Sequence, residues 1–326
     1  MEAFTAETKE EIIFEPIISG EHGGGVSVPA GQPVTAYPLG DGRYRVEACL
    51  GSTMPDYSAV VESKQIAIIG EVRRAFDISF DYKTDRPAKS RPDADRDSPR
   101  LRSDHELLWT KKLNSGVHFA PTAPSARRNG YLVYTDASEA RHWYGSDAIT
   151  SSYTGWSRPT SLAGAIASLN EDERSRYLNP PYTIGSAMIW PVRKEYRPTM
   201  NTARGFGPSG RLIGDRMDLT LECIRRHYTG EEESPLAGVL GAYADFFELF
   251  DGFTEFVDFF HLQDLVTPDY NEVQFYLPFD NFERPGTPVT RDEYVTYREA
   301  TLEFIAARAR RMAEWVRRQH PDIEVP

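Results

Sequence analysis

The chain has 326 residues, of which 40% are hydrophobic and 26% charged, as in an ordinary globular protein. Its formal net charge of −12 at pH 7 argues against broad nucleic-acid binding, because such binding requires a basic surface. Two cysteines are too few for a disulfide framework. The N-terminus lacks signal-peptide features and no apolar run could cross a membrane, so the sequence predicts a soluble, cytoplasmic protein with no membrane partner.

The first 72 residues predict a small antiparallel β module. Short runs of β-branched and aromatic residues alternate with glycine and proline. The Asp41-Gly42 pair indicates a hairpin turn, because Asp-Gly accepts positive φ. The predicted strands are IIFEPII, VSV, VTAYPL, RYRVEACL, SAVV and QIAII.

Residues 73–104 form a polar segment rich in Pro, Asp and Arg, which predicts a linker or a wrapping segment. Residues 105–326 are predicted to form an α+β core domain. Its first half contains short mixed or antiparallel strands at HELLWTKKL, YLVYT and TIGSAMIWPV. Between the last two, short helices are predicted at 161–169 and 171–177.

A C-terminal layer of about four helices is predicted from Gly214 onward. The first helix has an apolar stripe at helical spacing and a glycine stop at Gly230. The next two begin at Ser234-Pro235 and near Thr254. The last begins at the Thr-x-x-Glu capping box of Thr290 and continues to about Gln319. Strands followed by segregated helices are typical of an α+β fold.

Residues 205–210 match the pattern Gly-x-Gly-x-x-Gly. A dinucleotide site requires a strand directly before this pattern, whereas the nearest predicted strand ends near Val192. The spacing therefore favours a backbone anion site at the next helix N-terminus over a dinucleotide site. The sequence contains no strong metal-binding motif, so it predicts no metal site, and it identifies no cofactor.

The segment Phe246–Phe260 holds an aromatic face that predicts core packing, with a pocket for a flat ligand as the alternative. Asp258, His261 and Asp264 lie close in sequence, which is compatible with a metal site, although a core histidine is the favoured interpretation. The polar face of the 214–228 helix also allows two interpretations. Its charges form solvent-exposed pairs, or they face a cleft under the Arg204 loop with Glu222 as a base.

Several long segments carry a family resemblance: FDISFDYKTDRPAKSRPDADRDSPRLRSDHELLWTKKL, NTARGF, GDRMDLTLECIRRHYTG, SPLAGVLGAYADFFELF, FVDFFHLQDLV and FYLPFDNF. They resemble a bacterial family of cytosolic proteins that is catalogued as a domain of unknown function. The resemblance covers about Ala75 to Arg311 and implies no activity. Residues 1–72 lie outside it and are interpreted as an added β module.

Two functions are compatible with the sequence, which does not decide whether the chain is an enzyme. In the first, an enzyme or ligand-binding protein acts on a small anionic molecule, nucleotide-like or phosphorylated. The predicted catalytic residues are Asp215, Asp218 and Glu222. The predicted ligand-binding residues are Asn201, Arg204, Arg216, Arg225, Gln263 and Asp264. Secondary contributors are Asp258, His105 and Lys111. The alternative is a non-enzymatic protein–protein interaction module in a bacterial defence or regulatory system, which binds its partner through residues 1–72.

Overall fold

A computed structural model provides the coordinates of the chain. Within the first 71 residues it describes the backbone of seven strands and the buried side chain of Val46. Beyond them it describes residues 75–84, 93–122, 131–154, 160–193, 198–205, 210–230 and 233–326. In this part of the chain, no helix is both long enough and apolar enough to cross a membrane.

The N-terminal strands form one antiparallel sheet in the order β3-β2-β6-β5-β4-β1-β7. Their bounds are β1 Phe4–Thr8, β2 Ile12–Pro16, β3 Val26–Val28, β4 Pro33–Pro38, β5 Arg43–Ala48, β6 Tyr57–Glu62 and β7 Ile66–Glu71. Six were predicted, and β1 was not, because Phe4 is its only large apolar residue. β4 pairs with β5 as the hairpin prediction requires, and the turn itself lies outside the described residues.

Two helices occupy residues 94–109. The sequence predicted a polar linker up to residue 104 and a strand after it. α1 is Ala94–Asp97 and α2 is Pro99–Trp109. Ser98 caps α2, because its hydroxyl accepts a hydrogen bond from the Leu101 amide at 3.0 Å, and Pro99 occupies the first helical position. The strand prediction for HELLW is therefore wrong. Leu101, His105 and Leu108 are buried at helical spacing, and this period outweighs the local β propensity.

A three-stranded antiparallel sheet in the order β10-β11-β12 lies within residues 131–192. The strands are β10 Tyr131–Thr135, β11 Arg141–Ala148 and β12 Ala187–Val192, and a two-stranded sheet pairs β8 Lys111–Lys112 with β9 His118–Phe119. The prediction of YLVYT as a strand is confirmed. That of TIGSAMIWPV is confirmed for Ala187–Val192 only, because Ile184–Ser186 form a 3-10 helix. β12 is almost completely buried, so this sheet is part of the main hydrophobic core.

Four short helices lie near β12 in the sequence, two before it and two after it. They are α3 Thr160–Ala167, α4 Glu171–Tyr177, α5 Met200–Gly205 and α6 Gly210–Ile213. α3 and α4 confirm the two predicted helices, and Asn170 forms a capping box with Glu173 at the start of α4. α5 and α6 were not predicted, because each is shorter than two turns and carries little apolar periodicity.

The C-terminal half forms the predicted helical layer, which confirms the α+β class. Its helices are α7 Met217–Thr229, α8 Ala237–Ala242, α9 Ala244–Phe247, α10 Phe253–Phe259 and α11 Arg291–Gln319. Gly230 ends α7 with a left-handed φ of 64°, as predicted. The single helix predicted after Ser234 is divided into α8 and α9 around Tyr243, since Gly238 and Gly241 weaken the helix.

The phenylalanine-rich segment packs into the core. Phe246, Phe250, Phe256 and Phe260 are almost fully buried, and the rings of Phe256 and Phe260 lie 4.9 Å apart in a tilted arrangement. The core interpretation is therefore confirmed over the flat-ligand pocket.

α11 is the longest helix in the described part of the chain. A capping box fixes its start, and a buried arginine fixes its second half. Thr290 and Glu293 form the predicted capping box, and the helix ends at Gln319 as predicted. In its second half, the fully buried Arg308 donates hydrogen bonds from Nη1 to the carbonyls of Gly185 and Ala187, at 2.8 and 2.7 Å. α11 is thus attached to the chain that leads into β12.

We expect Gly185→Ala to destabilise the protein by about 2–3 kcal/mol. A Cβ atom at this position would lie 2.2 Å from the Ile305 carbonyl oxygen and 3.0 Å from the Ala309 Cβ, so α11 would have to move. Gly164→Ala in α3 is the matched control, because a Cβ there meets nothing within 4 Å and should stabilise the helix by up to about 1 kcal/mol. Urea unfolding of both variants measures the difference, and equal stability would contradict the packing described.

Candidate functional site

Three aspartates from separate elements interact electrostatically, and two of them contact one buried arginine. Asp95 lies in α1, Asp147 lies near the end of β11, and Asp215 lies in the turn between α6 and α7. The side chains of Asp147 and Asp215 are 18% and 12% exposed, and Asp95 is half-buried. We call Asp95, Asp147 and Asp215, with Arg204, the aspartate cluster.

Arg204 is fully buried, and its guanidinium is fixed by several acceptors. Nε donates to the Thr220 hydroxyl at 2.9 Å, and Nη2 donates to the Ile149 carbonyl at 2.7 Å. Its two carboxylate contacts are longer, at 3.4 Å to Asp147 and 3.5 Å to Asp215. The guanidinium therefore neutralises only part of the negative charge around it.

Burial raises the pKa values of all three carboxyl groups, and repulsion by a neighbouring aspartate adds to the shift of each. Desolvation raises the pKa of Asp95 and of Asp215 to about 6, although hydrogen bonds oppose the shift in Asp95 and Arg204 opposes it in Asp215. Desolvation and the charge of Asp215 raise the pKa of Asp147 well above its ordinary value. Like charges this close do not all ionise together, so the cluster retains a proton into the neutral pH range.

The backbone turn at Asp215 presents its carboxylate to the cluster. Gly214 and Asp215 both have positive φ, 57° and 52°, so the α6–α7 connection reverses tightly. The Asp215 amide donates to the Arg204 carbonyl at 3.0 Å, and the Asp215 carbonyl accepts from the Ser151 amide at 3.1 Å. Among the described residues, Asp215 Oδ1 is buried with no hydrogen-bond donor, so a ligand N–H or O–H would satisfy it.

A directed chain of hydrogen bonds ends on Asp95. Trp109 Nε1 donates to His105 Nδ1 at 2.8 Å, and His105 Nε2 lies 2.9 Å from the Ser146 hydroxyl. Since Nδ1 accepts, the neutral ring carries its proton on Nε2 and donates to Ser146. Ser146 in turn donates to Asp95 Oδ1 at 2.7 Å, and the Tyr182 hydroxyl donates to the same oxygen.

This arrangement excludes a Ser–His nucleophile pair. A histidine that activates serine must accept the hydroxyl proton, whereas His105 Nε2 already holds a proton. Burial also lowers the pKa of His105 to about 3, so the ring remains neutral. The chain instead orients Asp95, and His105 enters the candidate site only through Ser146.

The predicted charged face of α7 is buried, so its interpretation as a solvent-exposed row of pairs is wrong. Asp218 is completely buried and accepts both Nε and Nη2 of Arg216, and it also accepts the Tyr276 amide at 2.9 Å. Arg216 donates its remaining bond to the Gly286 carbonyl at 3.1 Å. The segment around 276–286 covers this part of the helix, which sequence periodicity cannot show.

The other predicted residues of this face also join α7 to its neighbours. Glu222 accepts two bonds from Arg225, at 2.9 and 3.0 Å, and one from Arg226 at 2.7 Å. Arg226 continues to the Asn281 side chain at 2.7 Å. Glu222 is 4% exposed and surrounded by two guanidinium groups, which is a poor setting for a base. The structure therefore does not bring Asp218 and Glu222 together with Asp215.

The remaining predicted residues lie apart from the cluster. Asn201 is an exposed residue of α5. Asp264 forms a bidentate pair with Arg311, and Gln263 donates to Asp258 at 2.9 Å. His261 is buried, as the core interpretation predicted. Within the described ranges, no group of three His, Cys, Asp or Glu side chains is placed to hold a metal ion.

The glycine pattern at 205–210 does not have the context of a dinucleotide site. Gly205 is the last residue of α5 and Gly210 is the first of α6, so a helix stands where a strand is required. A Cβ on Gly210 would lie 2.8 Å from the Gly205 carbonyl carbon, which explains the glycine by close packing. Residues 206–209, and with them the predicted anion site of this loop, lie outside the described residues.

Sequence reasoning found Asp215, Arg204 and His105 but missed four residues of the site. Asp95 and Asp147 carry no motif, and Ser146 and Tyr182 are ordinary strand and loop residues in the sequence. The only available signal was the repeated aspartate in residues 93–97, next to a Ser-Pro helix start.

Comparisons with known proteins give family membership only. Neither the curated proteins nor the solved structures gave a match to the chain. A family model described as a family of unknown function, DUF6994, matches residues 76–312. This range contains every residue of the aspartate cluster and agrees with the resemblance seen in the sequence, while the N-terminal sheet lies outside it. The chain therefore belongs to DUF6994, a family of unknown function.

Proposed function

We propose that the protein is an enzyme that transfers protons to and from a small molecule at the aspartate cluster. The observation that carries the proposal is that two partly open carboxyl groups, Asp147 and Asp215, share one guanidinium, while the charge of Asp95 acts on both. An acid and a base are most effective when their pKa values lie near the working pH, and burial moves these aspartates toward it.

The geometry supports a distinct role for each aspartate. Asp147 is the proton donor, because both burial and the charge of Asp215 favour its protonated form. Asp215 is the base, since its Oδ1 lacks a donor among the described residues. Asp95 is held in place by Ser146 and Tyr182 and sets the charge felt by the other two.

The charge of the cluster favours a ligand that donates hydrogen bonds, such as a hydroxyl-rich or amine compound. A small anionic ligand, the class predicted from the sequence, needs free guanidinium N–H groups. The N–H groups of Arg204 are directed at Thr220, a backbone carbonyl and the carboxylates. An anion would therefore have to displace a carboxylate from the guanidinium. The anionic ligand therefore remains a competing proposal.

A thermal-shift screen with polyols, amines, nucleotides and phosphorylated metabolites tests both ligand classes. We expect polyols or amines to raise the melting temperature of the wild type but not of Asp147→Asn. Asp172→Asn, an exposed position in α4, is the matched control and should respond like the wild type. Stabilisation by phosphorylated compounds alone would support the anionic ligand instead, and no stabilisation by any compound would contradict both.

A non-enzymatic interaction module remains the second proposal. The observation that favours it is that the seven-stranded N-terminal sheet lies outside the family match, as an added partner-binding module would. Cross-linking of the full chain in cell extract, followed by mass spectrometry, should then place partner cross-links mainly within residues 1–72. Cross-links confined to the core domain would contradict it.

A further inference from the structure

Lys111 has a hydrogen-bonding environment that suits a neutral amine. This half-buried residue of β8 donates from Nζ to the Phe259 carbonyl at 2.9 Å, and Nζ lies 3.2 Å from His261 Nε2. Within the part of the chain that the structure describes, no carboxylate lies close enough to form an ion pair with it. A neutral amine has two N–H groups and one lone pair. The Phe259 carbonyl accepts one N–H, and the contact with His261 uses the second N–H when the imidazole carries its proton on Nδ1, which leaves the lone pair unoccupied in that tautomer.

Three aromatic rings surround the same nitrogen. Nζ lies 4.4 Å from the ring centre of Trp315, 4.8 Å from that of Phe259 and 5.4 Å from that of Trp109. The rings exclude water from the amine, which favours its neutral form, while their faces attract the ammonium form. Both forms are therefore accessible, and a neutral amine in an apolar setting is a strong nucleophile.

The surrounding charges are mostly positive. Arg308 is fully buried, donates only to carbonyl groups and has an Nη2 with no partner among the described residues. Burial and, to a smaller extent, the charge of Arg308 lower the pKa of Lys111 to about 7, while Asp258 opposes the shift. Burial lowers the pKa of His261 to about 2, with smaller contributions from Lys111, Arg308, Arg311 and Arg318, so the imidazole stays neutral.

We propose that Lys111 is a nucleophilic amine that forms an imine with a small carbonyl compound, preferentially one that carries an anionic group. The nitrogen lone pair attacks the carbonyl carbon and the C–O π bond breaks, which gives a carbinolamine. Loss of water, with both N–H protons leaving on the oxygen, forms the C=N bond, so the reaction consumes one carbonyl compound and releases one water. The unneutralised charge of Arg308 favours a keto acid over a neutral ketone.

Reductive trapping at pH 7 tests this proposal independently of the aspartate cluster. The full chain is incubated with pyruvate or with neutral hydroxyacetone in cyanoborohydride, and labelled lysines are quantified by peptide mass spectrometry. Lys112 is the matched control, because it is the exposed neighbour of Lys111 on the same strand. We expect Lys111 to be labelled at least tenfold faster than Lys112, and faster by pyruvate than by hydroxyacetone.

The pH profile and two variants complete the test. Labelling of Lys111 should reach half of its maximum near pH 7. Lys111→Met should abolish the fast label and Lys112→Met should retain it, and circular dichroism of both checks that they fold. Equal labelling of the two lysines in the wild type, or a Lys111 midpoint near pH 10, would overturn the proposal even if the variants do not fold.

Discussion

Replacing Asp215 with asparagine is expected to stabilise the protein by about 2–3 kcal/mol at pH 8 and to have almost no effect at pH 4. The folded-state pKa of Asp215 is raised from 3.8 to about 6, so the folded protein binds more protons than the unfolded chain between these values. Its stability contribution is therefore present below pH 4 and is lost as the pH rises through 6. A tenfold difference in proton affinity between the folded and unfolded chains corresponds to about 1.4 kcal/mol.

Asparagine suits this position because it has the shape of a protonated aspartate and tolerates the left-handed backbone at φ 52°. Urea unfolding at pH 4, 6 and 8 measures the effect, and Asp172→Asn should remain parallel to the wild type throughout. An Asp215→Asn protein that is less stable than the wild type at pH 8 would show that the ionised carboxylate is favourable in the fold.

Asp218→Ala is expected to destabilise the protein by about 3–5 kcal/mol. The substitution leaves the buried Arg216 guanidinium without its bidentate partner and the Tyr276 amide without its acceptor. The double variant Arg216→Met/Asp218→Leu removes both charges and keeps similar volume, so it should recover at least half of the loss. Guanidinium unfolding of the three proteins measures this.

The Asp218 prediction separates a structural pair from a ligand site. If Asp218 were a catalytic group kept in an open cleft, its removal would cost less than about 1 kcal/mol, and the double variant would be no more stable than the single one. That result would return Asp218 to the candidate catalytic residues.

Local sequence signals predicted the helices with clear ends. The Thr290 capping box and the Gly230 stop give the bounds of α11 and the end of α7, because caps satisfy backbone groups that lie within a few residues. The strand predicted at HELLW was wrong, because Ser98 and Pro99 start a helix before it. The sequence did not predict that the helix after Ser234 is divided into α8 and α9. Tyr243 is both the C-cap of α8 and the N-cap of α9.

The candidate site could be predicted only in part. The helical period located the charged residues of α7 correctly, but burial by the segment that carries Tyr276 and Gly286 depends on long-range packing. Asp95 and Asp147 come from a short helix and a strand that are far apart in sequence. The approach of Asp147 to Arg204, and of Asp95 to Asp147, is a property of the tertiary fold, and no spacing in the sequence carries that information.

The central claim, that the aspartate cluster retains a proton near neutral pH, is tested most directly by carboxyl titration. Carbon-13 NMR of aspartate side chains, assigned with Asp→Asn variants, follows each group from pH 3 to pH 9. We expect Asp95 and Asp215 to titrate near pH 6 and Asp147 well above its ordinary value. Titration of all three at or below about pH 4, the ordinary range for aspartate, would contradict the account.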